Sequence, residues 1–342
     1  MGSQPRAVIF GLAGPFLDSA ERAFFAAADP LGFILFARNC VSPEQIAALT
    51  RELRHCVGRA DAPVLIDQEG GRVQRLKPPH WRTAPPAERF GSLDERDAGA
   101  AVEAAWLNAR LLAADLQPLG IDVDCAPVLD VRAPEGHGII GDRAFGASPQ
   151  RVAKLARATC EGLLAGGVLP VIKHIPGHGR ATLDSHEALP VVDAPADVLQ
   201  ACDFAPFAAL ADMPLAMTAH VVYSAFDAAA PATTSATVIG DVIRRQIGFD
   251  GLLFSDDLCM RALAGAPGDR ARAALAAGCD VVLHCNGELA EMRAVAQACA
   301  PLSPAGAARF ARARALLRPP VVVDEADARQ RLAALLDGPV AA

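Results

Sequence analysis

Short apolar segments recur along the chain, and stretches with a helical pattern lie between them. Within each segment the apolar residues are continuous rather than alternating, as is typical of strands covered on both faces in a parallel sheet. Eight such alternations predict an α/β fold of one domain, a (β/α)8 TIM-type barrel, with a doubly wound open sheet as the alternative. The predicted strand segments are 7–14, 32–39, 62–70, 121–131, 168–177, 214–223, 251–258 and 279–287.

Two of the intervening stretches have clear helix boundaries. Ser42, followed by a proline at the first helical position, opens a helix whose apolar stripe ends at Gly58. Ser148, also followed by a proline, opens a second helix that ends at Gly166. Both helices follow predicted strands, as the barrel requires.

Nearly every predicted strand segment ends in ionisable or amide side chains. In a closed parallel barrel the carboxyl ends of all strands lie on one face, and the active sites of such barrels are found there. The open-sheet alternative is weakened because no GxGxxG motif follows any strand. The pattern therefore favours a barrel with an active site at this face. The residues are Arg38, Asn39, Asp67, Gln68, Glu69, Asp130, Lys173, His174, His220, Asp256, Asp257 and His284.

Composition and charge exclude several classes of protein. The 342 residues contain 32 Lys and Arg against 39 Asp and Glu, and the net charge of −7 argues against a nucleic-acid partner. Nine cysteines without a CxxC pair indicate reduced thiols in a cytosol. The apolar run at 7–14 is interpreted as a strand rather than a signal peptide, and no run reaches the ~18 residues of a membrane span. We expect a cytoplasmic protein with no membrane association.

The stretch 173–186, KHIPGHGRATLDSH, places several titratable groups on a loop after a buried strand. In an extended loop Asp184 and His186 lie on the same side, where the carboxylate can hold one imidazole nitrogen while the other transfers protons. A solvated loop histidine is the alternative. Zinc binding by His174, His178 and His186 is disfavoured because the spacing does not match HExxH. Lys173 also raises the alternative of Schiff-base chemistry.

The segment GLLFSDDL ends in two adjacent carboxylates, Asp256 and Asp257. In extended geometry they point to opposite sides, so only one can face the barrel axis at that depth. The other is expected to bind neighbouring backbone or a basic side chain. A carboxylate facing the axis can act as a nucleophile, a general base or a metal ligand, and helix capping is the structural alternative.

Several motifs in order resemble those of the single-domain bacterial β-N-acetylhexosaminidases of glycoside hydrolase family 3. They are LIDQEGGRVQRL, IIGDRAFG, KHIPGHG-x4-DSH and GFDGLLFSDDLCM, and the similarity extends from about residue 7 to about residue 290. Small departures occur at Ile175, where the family usually has phenylalanine, and at Cys259, where it often has serine. The resemblance implies one catalytic barrel domain over 1–342, and the tail after about residue 318 has no assigned function.

The resemblance also implies the roles of individual residues in a retaining exo-glycosidase. Asp256 would be the nucleophile, and His186 would be the acid/base, assisted by Asp184. An imidazole has a reference pKa of about 6.5, so it can both donate and accept a proton near neutral pH. The implied sugar contacts are Asp67, Arg75, Arg143, Lys173 and His174.

The activity implied by the resemblance is hydrolysis of terminal β-linked N-acetylglucosamine (GlcNAc). The implied substrates are muropeptide fragments, GlcNAc linked to 1,6-anhydro-N-acetylmuramic acid with attached peptides, which are recycled in the cytosol. No metal or organic cofactor is implied, and the expected state is a monomer. Two alternatives remain open: a lysine-dependent barrel aldolase that uses Lys173, and a non-catalytic sensor that binds muropeptides.

Overall fold

The computed structural model describes residues 4–338, and within them eight parallel strands close into a barrel. The strands are neighbours in chain order, and the first pairs with the last, with Val8 opposite Val282. Each predicted segment overlaps one of these strands, so the predicted (β/α)8 barrel is confirmed. The strands are β1 Arg6–Phe10, β2 Pro30–Leu35, β3 Val64–Ile66, β4 Val123–Asp124, β5 Leu169–Ile175, β6 Leu215–Thr218, β7 Leu252–Asp257 and β8 Val281–His284.

Helices cover the outside of the barrel, and the predicted starts at Ser42 and Ser148 are confirmed. Each serine side chain accepts a hydrogen bond from the backbone N–H three residues later, which satisfies one open donor of the first turn. The longer helices are Ser19–Ala28, Pro43–Cys56, Ala87–Asp94, Ala98–Leu116, Pro149–Ala165, Ala205–Ala209, Val238–Gln246 (with π-type hydrogen bonds), Pro267–Ala277, Leu289–Ala298, Pro304–Arg314 and Glu325–Asp337. Within residues 4–338, no helix has both the length and the hydropathy to cross a membrane.

Apolar side chains fill both the barrel interior and the layer between strands and helices. In β1, Ile9 belongs to the interior cluster, whereas Val8 and Phe10 pack in the outer layer with Phe25. All four are fully buried. Because successive residues of a strand face opposite sides, a strand that is covered on both sides must be apolar at every position. This requirement explains the continuous apolar runs in the sequence.

The tail after residue 318 folds back onto the barrel. The helix Glu325–Asp337 packs against the helix Ala98–Leu116, with Leu332 buried between them. Its Arg331 forms an ion pair with Glu103, with 2.6 Å between Nε and Oε1. The sequence assigned no function to this tail, and its contacts make it part of the outer layer of the fold.

A network of buried charges connects strand ends at the mouth of the barrel. Lys173 Nζ, on β5, lies 2.9 Å from Asp67 Oδ1 and 2.7 Å from Glu69 Oε1, just beyond β3. Arg143 donates two hydrogen bonds of 2.8 Å to Glu69. Arg75 Nη2 lies 2.9 Å from Asp67 Oδ2. Burial acts to raise the pKa of Glu69, but Arg143 and Lys173 outweigh it and lower that pKa to about 2.

We expect Glu69→Gln to make the free energy of unfolding depend less on pH in the acidic range. A carboxylate whose folded pKa is lowered from 4.5 to about 2 contributes stability above its ordinary pKa and loses it as the pH falls towards the folded value. The contribution is on the order of 3 kcal/mol. Urea denaturation from about pH 5 to about pH 2 should therefore show a smaller loss of unfolding free energy in the variant.

The matched control is Glu103→Gln. This carboxylate is also paired with an arginine, but its side chain is 42% exposed, so its replacement should leave the pH profile nearly unchanged. Equal slopes for wild type and Glu69→Gln would contradict the stabilising role of the network.

Candidate active site

The carboxyl ends of the barrel strands surround a cavity of about 300 Å³, which is at the lower end of the range for small-molecule sites. Seven of the eight side chains named from the sequence line this cavity, and the eighth, Asp184, contacts one of the seven. The structure thus brings together residues that lie up to 189 positions apart, between 67 and 256. The seven are Asp67, Arg75, Arg143, Lys173, His174, His186 and Asp256.

Asp256 lies at the end of β7 with its carboxylate in the cavity wall. Its Oδ1 accepts a hydrogen bond of 2.8 Å from the backbone N–H of Asp257. Burial acts to raise the pKa of Asp256, but the imidazoles of His220 and His174 outweigh it, and the pKa lies below its ordinary value. The carboxylate is therefore ionised near neutral pH, as a nucleophile or a base must be.

The neighbouring Asp257 is held by backbone groups. Its Oδ1 accepts hydrogen bonds from the backbone N–H of Cys259, at 2.9 Å, and of Cys285, at 3.1 Å. These bonds join the loop after β7 to the end of β8. Both residues line the cavity, and Asp257 is the one whose carboxylate binds the backbone of two other segments, as was expected for one member of the pair.

Asp184 and His186 form a pair on the loop after β5. The carboxylate Oδ1 of Asp184 accepts from His186 Nδ1 at 2.7 Å and from the His186 backbone N–H at 2.9 Å. Burial acts to raise the pKa of Asp184, but these hydrogen bonds and the nearby imidazole outweigh it and lower the pKa. Because Nδ1 is engaged, the second ring nitrogen is the one available for proton transfer in the cavity.

Ser185, between the two partners, takes no part in this pair. Its buried hydroxyl lies 3.1 Å from Nε2 of His178. Ser185, His186 and Asp184 therefore do not form a Ser/His/Asp hydrolase arrangement, because the serine hydroxyl contacts a different histidine.

Asp130, at the end of the fourth predicted strand segment, fixes two of the loop histidines. Its carboxylate lies 2.7 Å from His174 Nδ1 and accepts from the backbone N–H of His178 at 2.7 Å. Burial lowers the pKa of His178 to about 4, so that ring is neutral near neutral pH. Within residues 4–338, His174, His178 and His186 do not form a cluster suited to a metal ion, because each ring has a different protein partner.

Lys173 is an ammonium group in this structure. Burial acts to lower its pKa, but the carboxylates of Asp67 and Glu69 outweigh it and raise that pKa above the ordinary value. A Schiff-base lysine must lose its proton to become a nucleophile, and the usual device is an environment that lowers the pKa. The environment of Lys173 does the opposite, which disfavours the aldolase alternative.

The sequence analysis left two residues out of the site, and it grouped with the site other strand-end residues that do not line the cavity. Glu69 and Asp130 stood among the strand-end residues but were left out of the sugar-binding set, although each holds members of that set. Arg38 donates to the backbone carbonyl of Leu12 and so supports a loop. His284 lies behind the cavity wall against Cys259. All four residues stand at strand ends, so that position alone does not distinguish residues that support the site from residues that lie outside it.

Comparison with known proteins agrees with this geometry. The model of the glycosyl hydrolase family 3 N-terminal domain matches residues 19–314. A "Beta-hexosaminidase" from Alkalilimnicola ehrlichii is 42% identical over 286 residues, which cover 82% of this chain and 80% of that protein. A "Beta-hexosaminidase" from Bordetella pertussis is 40% identical over 294 residues, which cover 84% of this chain and 82% of that protein.

Among solved structures, NagZ from Neisseria gonorrhoeae in complex with N-trifluoroacetyl-D-glucosamine is similar over almost its whole length. The TM-score is 0.88 at 34% identity, and the match covers 98% of this chain and 99% of that one. A family match over most of the chain, relatives of 40% identity or more and a common barrel together settle the family. This chain belongs to glycoside hydrolase family 3 and is a glycoside hydrolase.

Proposed function

We propose that this chain is a retaining exo-β-N-acetylglucosaminidase that removes terminal, non-reducing β-linked GlcNAc. One observation carries the proposal: an ionised carboxylate, Asp256, and an imidazole held by a carboxylate, His186 with Asp184, line the same cavity. A retaining glycosidase needs a carboxylate that attacks the sugar and a second group that moves a proton at the leaving oxygen. These residues supply both groups.

In the first step, the Asp256 carboxylate forms a bond to the anomeric carbon as the glycosidic bond breaks. The Nε2 proton of His186 passes to the departing glycosidic oxygen, so the leaving sugar is released as a neutral alcohol. In the second step, His186 takes a proton from water, and the water oxygen attacks the anomeric carbon and displaces Asp256. Asp184 holds the imidazole ring in place throughout by accepting a hydrogen bond from Nδ1.

The charged network around Lys173 forms the sugar-binding wall. Asp67 and Glu69 offer acceptors, whereas Lys173, Arg75 and Arg143 offer donors, and sugar hydroxyls can bond to both kinds. Hydrogen bonds to charged groups are roughly twice as strong as those between neutral groups. A cavity of about 300 Å³ suits one terminal sugar, which supports an exo mode of action.

The proposed substrates are muropeptide fragments in which GlcNAc is linked to 1,6-anhydro-N-acetylmuramic acid, and the proposed compartment is the cytoplasm. The family resemblance supports this class, as do relatives named Beta-hexosaminidase and the NagZ complex with a GlcNAc analogue. None of the nine cysteines, all within the described residues, forms a disulfide, which agrees with a reducing compartment.

We expect Asp256→Ala to reduce turnover of a chromogenic β-N-acetylglucosaminide by a factor on the order of 10⁴ or more, because the variant lacks the carboxylate that forms the covalent bond. A slow fluorinated substrate should leave a sugar on the peptide containing Asp256, detected by mass spectrometry after digestion, and the variant should carry none. Circular dichroism and the Tm serve as the folding controls. A sugar trapped on another residue would remove Asp256 from the nucleophile role, and a wild-type chain without turnover would favour the sensor alternative.

His186→Ala should lower kcat by a factor that depends on the leaving group. General acid catalysis contributes about 10² to 10⁴-fold, so a poor leaving group should show a loss in that range. An activated aryl leaving group needs little acid help and should lose much less. The measurement is kcat for a series of aryl glycosides of graded leaving-group pKa, and equal losses along the series would contradict the acid role.

The substrate class can be tested by direct competition. We expect a higher kcat/KM for GlcNAc–anhydro-N-acetylmuramyl peptide than for GlcNAc–GlcNAc, because the family resemblance implies the former as substrate. Free GlcNAc released from each substrate is measured by chromatography. A preference for GlcNAc–GlcNAc would agree with the proposed glycosidase activity but would contradict the proposed muropeptide substrate.

A further inference from the structure

Three side chains with metal-ligating atoms meet behind the wall of the active site. Cys259 follows β7, His284 ends β8, and Glu291 lies in the first turn of the helix Leu289–Ala298. One ligand atom from each lies within 4.8 Å of the other two, and the described residues contain no second group of this kind. The three come from separate elements, so the fold itself creates the cluster.

The distances resemble those of a metal site before the metal enters. Cys259 Sγ lies 3.3 Å from His284 Nδ1 and 3.9 Å from His284 Nε2, and Nε2 lies 3.5 Å from Glu291 Oε2. A tetrahedral zinc ion with bonds of about 2.3 Å to sulfur and about 2.0–2.2 Å to nitrogen and oxygen places such atoms roughly 3.4 to 3.6 Å apart. The distance from Nε2 to the carboxylate already matches this value, the distance from Nε2 to the sulfur has to shorten by about half an ångström, and the sulfur and the carboxylate lie within 4.8 Å of each other.

Burial and hydrogen bonding hold these ligands in place. The His284 side chain is only 1% exposed, whereas Glu291 is 43% exposed, so an ion can reach the cluster from the solvent side. Asn286 donates a hydrogen bond of 2.7 Å to Glu291 Oε2 and orients the carboxylate. Such outer contacts are common around metal ligands and set the direction of the ligand atom.

The Cys259 backbone is held as well. Its N–H donates to Asp257 Oδ1 at 2.9 Å. Arg270 donates to the carbonyl of the preceding Leu258 at 2.7 Å. The arginine brings positive charge near the cluster, and the carboxylates of Asp257 and Glu291 oppose it. The set therefore offers a thiol, an imidazole and a carboxylate from restrained positions, a combination suited to a borderline-soft divalent ion.

We propose that Cys259, His284 and Glu291 bind one zinc ion, with water as the fourth ligand. On binding, the Cys259 thiol loses its proton to solvent and the thiolate sulfur bonds to the ion, so that the charges balance. The bound ion links the loop after β7, the end of β8 and the helix Leu289–Ala298. It stabilises the backbone next to Asp256 without taking part in the glycosidase reaction, so the site is independent of the proposed function.

The experiment uses the full chain, stripped of metal and titrated with Zn²⁺ in a calorimeter. We expect one equivalent to bind and the Tm to rise with zinc concentration, because an ion that binds only the folded state stabilises it by mass action. Cys259→Ser and Glu291→Gln should each weaken this binding by about tenfold or more. Neither variant should change turnover measured without metal, which also shows that the variants fold.

Two control variants locate the ion. Cys56→Ser removes another partly exposed thiol and should leave binding unchanged. The pair of His186 and Asp184 is a second group that can attract zinc, and His186→Ala removes its imidazole. This variant should still bind one equivalent of Zn²⁺ with the wild-type affinity. Co²⁺ in place of zinc should show thiolate-to-cobalt charge-transfer absorption that Cys259→Ser abolishes. Absence of binding, binding unaffected by Cys259→Ser, or binding lost in His186→Ala would each overturn the proposal.

Discussion

The closure of eight parallel strands imposes one constraint on the whole molecule, because all carboxyl ends must meet on a single rim. That rim has to carry polar groups beside an interior that is largely apolar. The chain meets much of this demand by joining buried charges in a network of ion pairs. Lys173 lies between Asp67 and Glu69, and Arg143 binds Glu69 through two nitrogens. Asp130 holds His174 near the end of β5 and His178 in the loop that follows.

The parts of the site that depend on local geometry could be read from the sequence. The strands were predictable because burial on both faces requires unbroken apolar runs, as in 168–177. The spacing of two residues predicts the pairing of Asp184 with His186, but the structure forms this pair in a turn, where the Asp184 carbonyl accepts from the backbone N–H of Glu187, and not in an extended loop. For Asp256 and Asp257, adjacent strand positions predict different partners, and Asp257 is the one that two other backbone N–H groups bind. The family motifs added the roles, which geometry alone does not assign to these residues.

The remaining features depend on side-chain direction and on contacts between distant segments. Glu69 and Arg38 both follow predicted strands, yet one enters the charged wall and the other supports a loop, because a strand end does not reveal where a long side chain goes. The cluster of Cys259, His284 and Glu291 has no short motif, since its members come from three elements. Such features require the folded arrangement, and Cys259 was noticed in the sequence only as a departure from the family pattern.

The charge network at the rim also constrains how this protein can diverge. Loss of one member leaves an opposite charge buried without its partner, at a cost that commonly reaches several kcal/mol. Single substitutions at Glu69, Arg143 or Lys173 are therefore poor intermediates in evolution. Homologous chains that have changed sugar preference at this wall are expected to differ by joint replacements, with a cation and its carboxylate exchanged together.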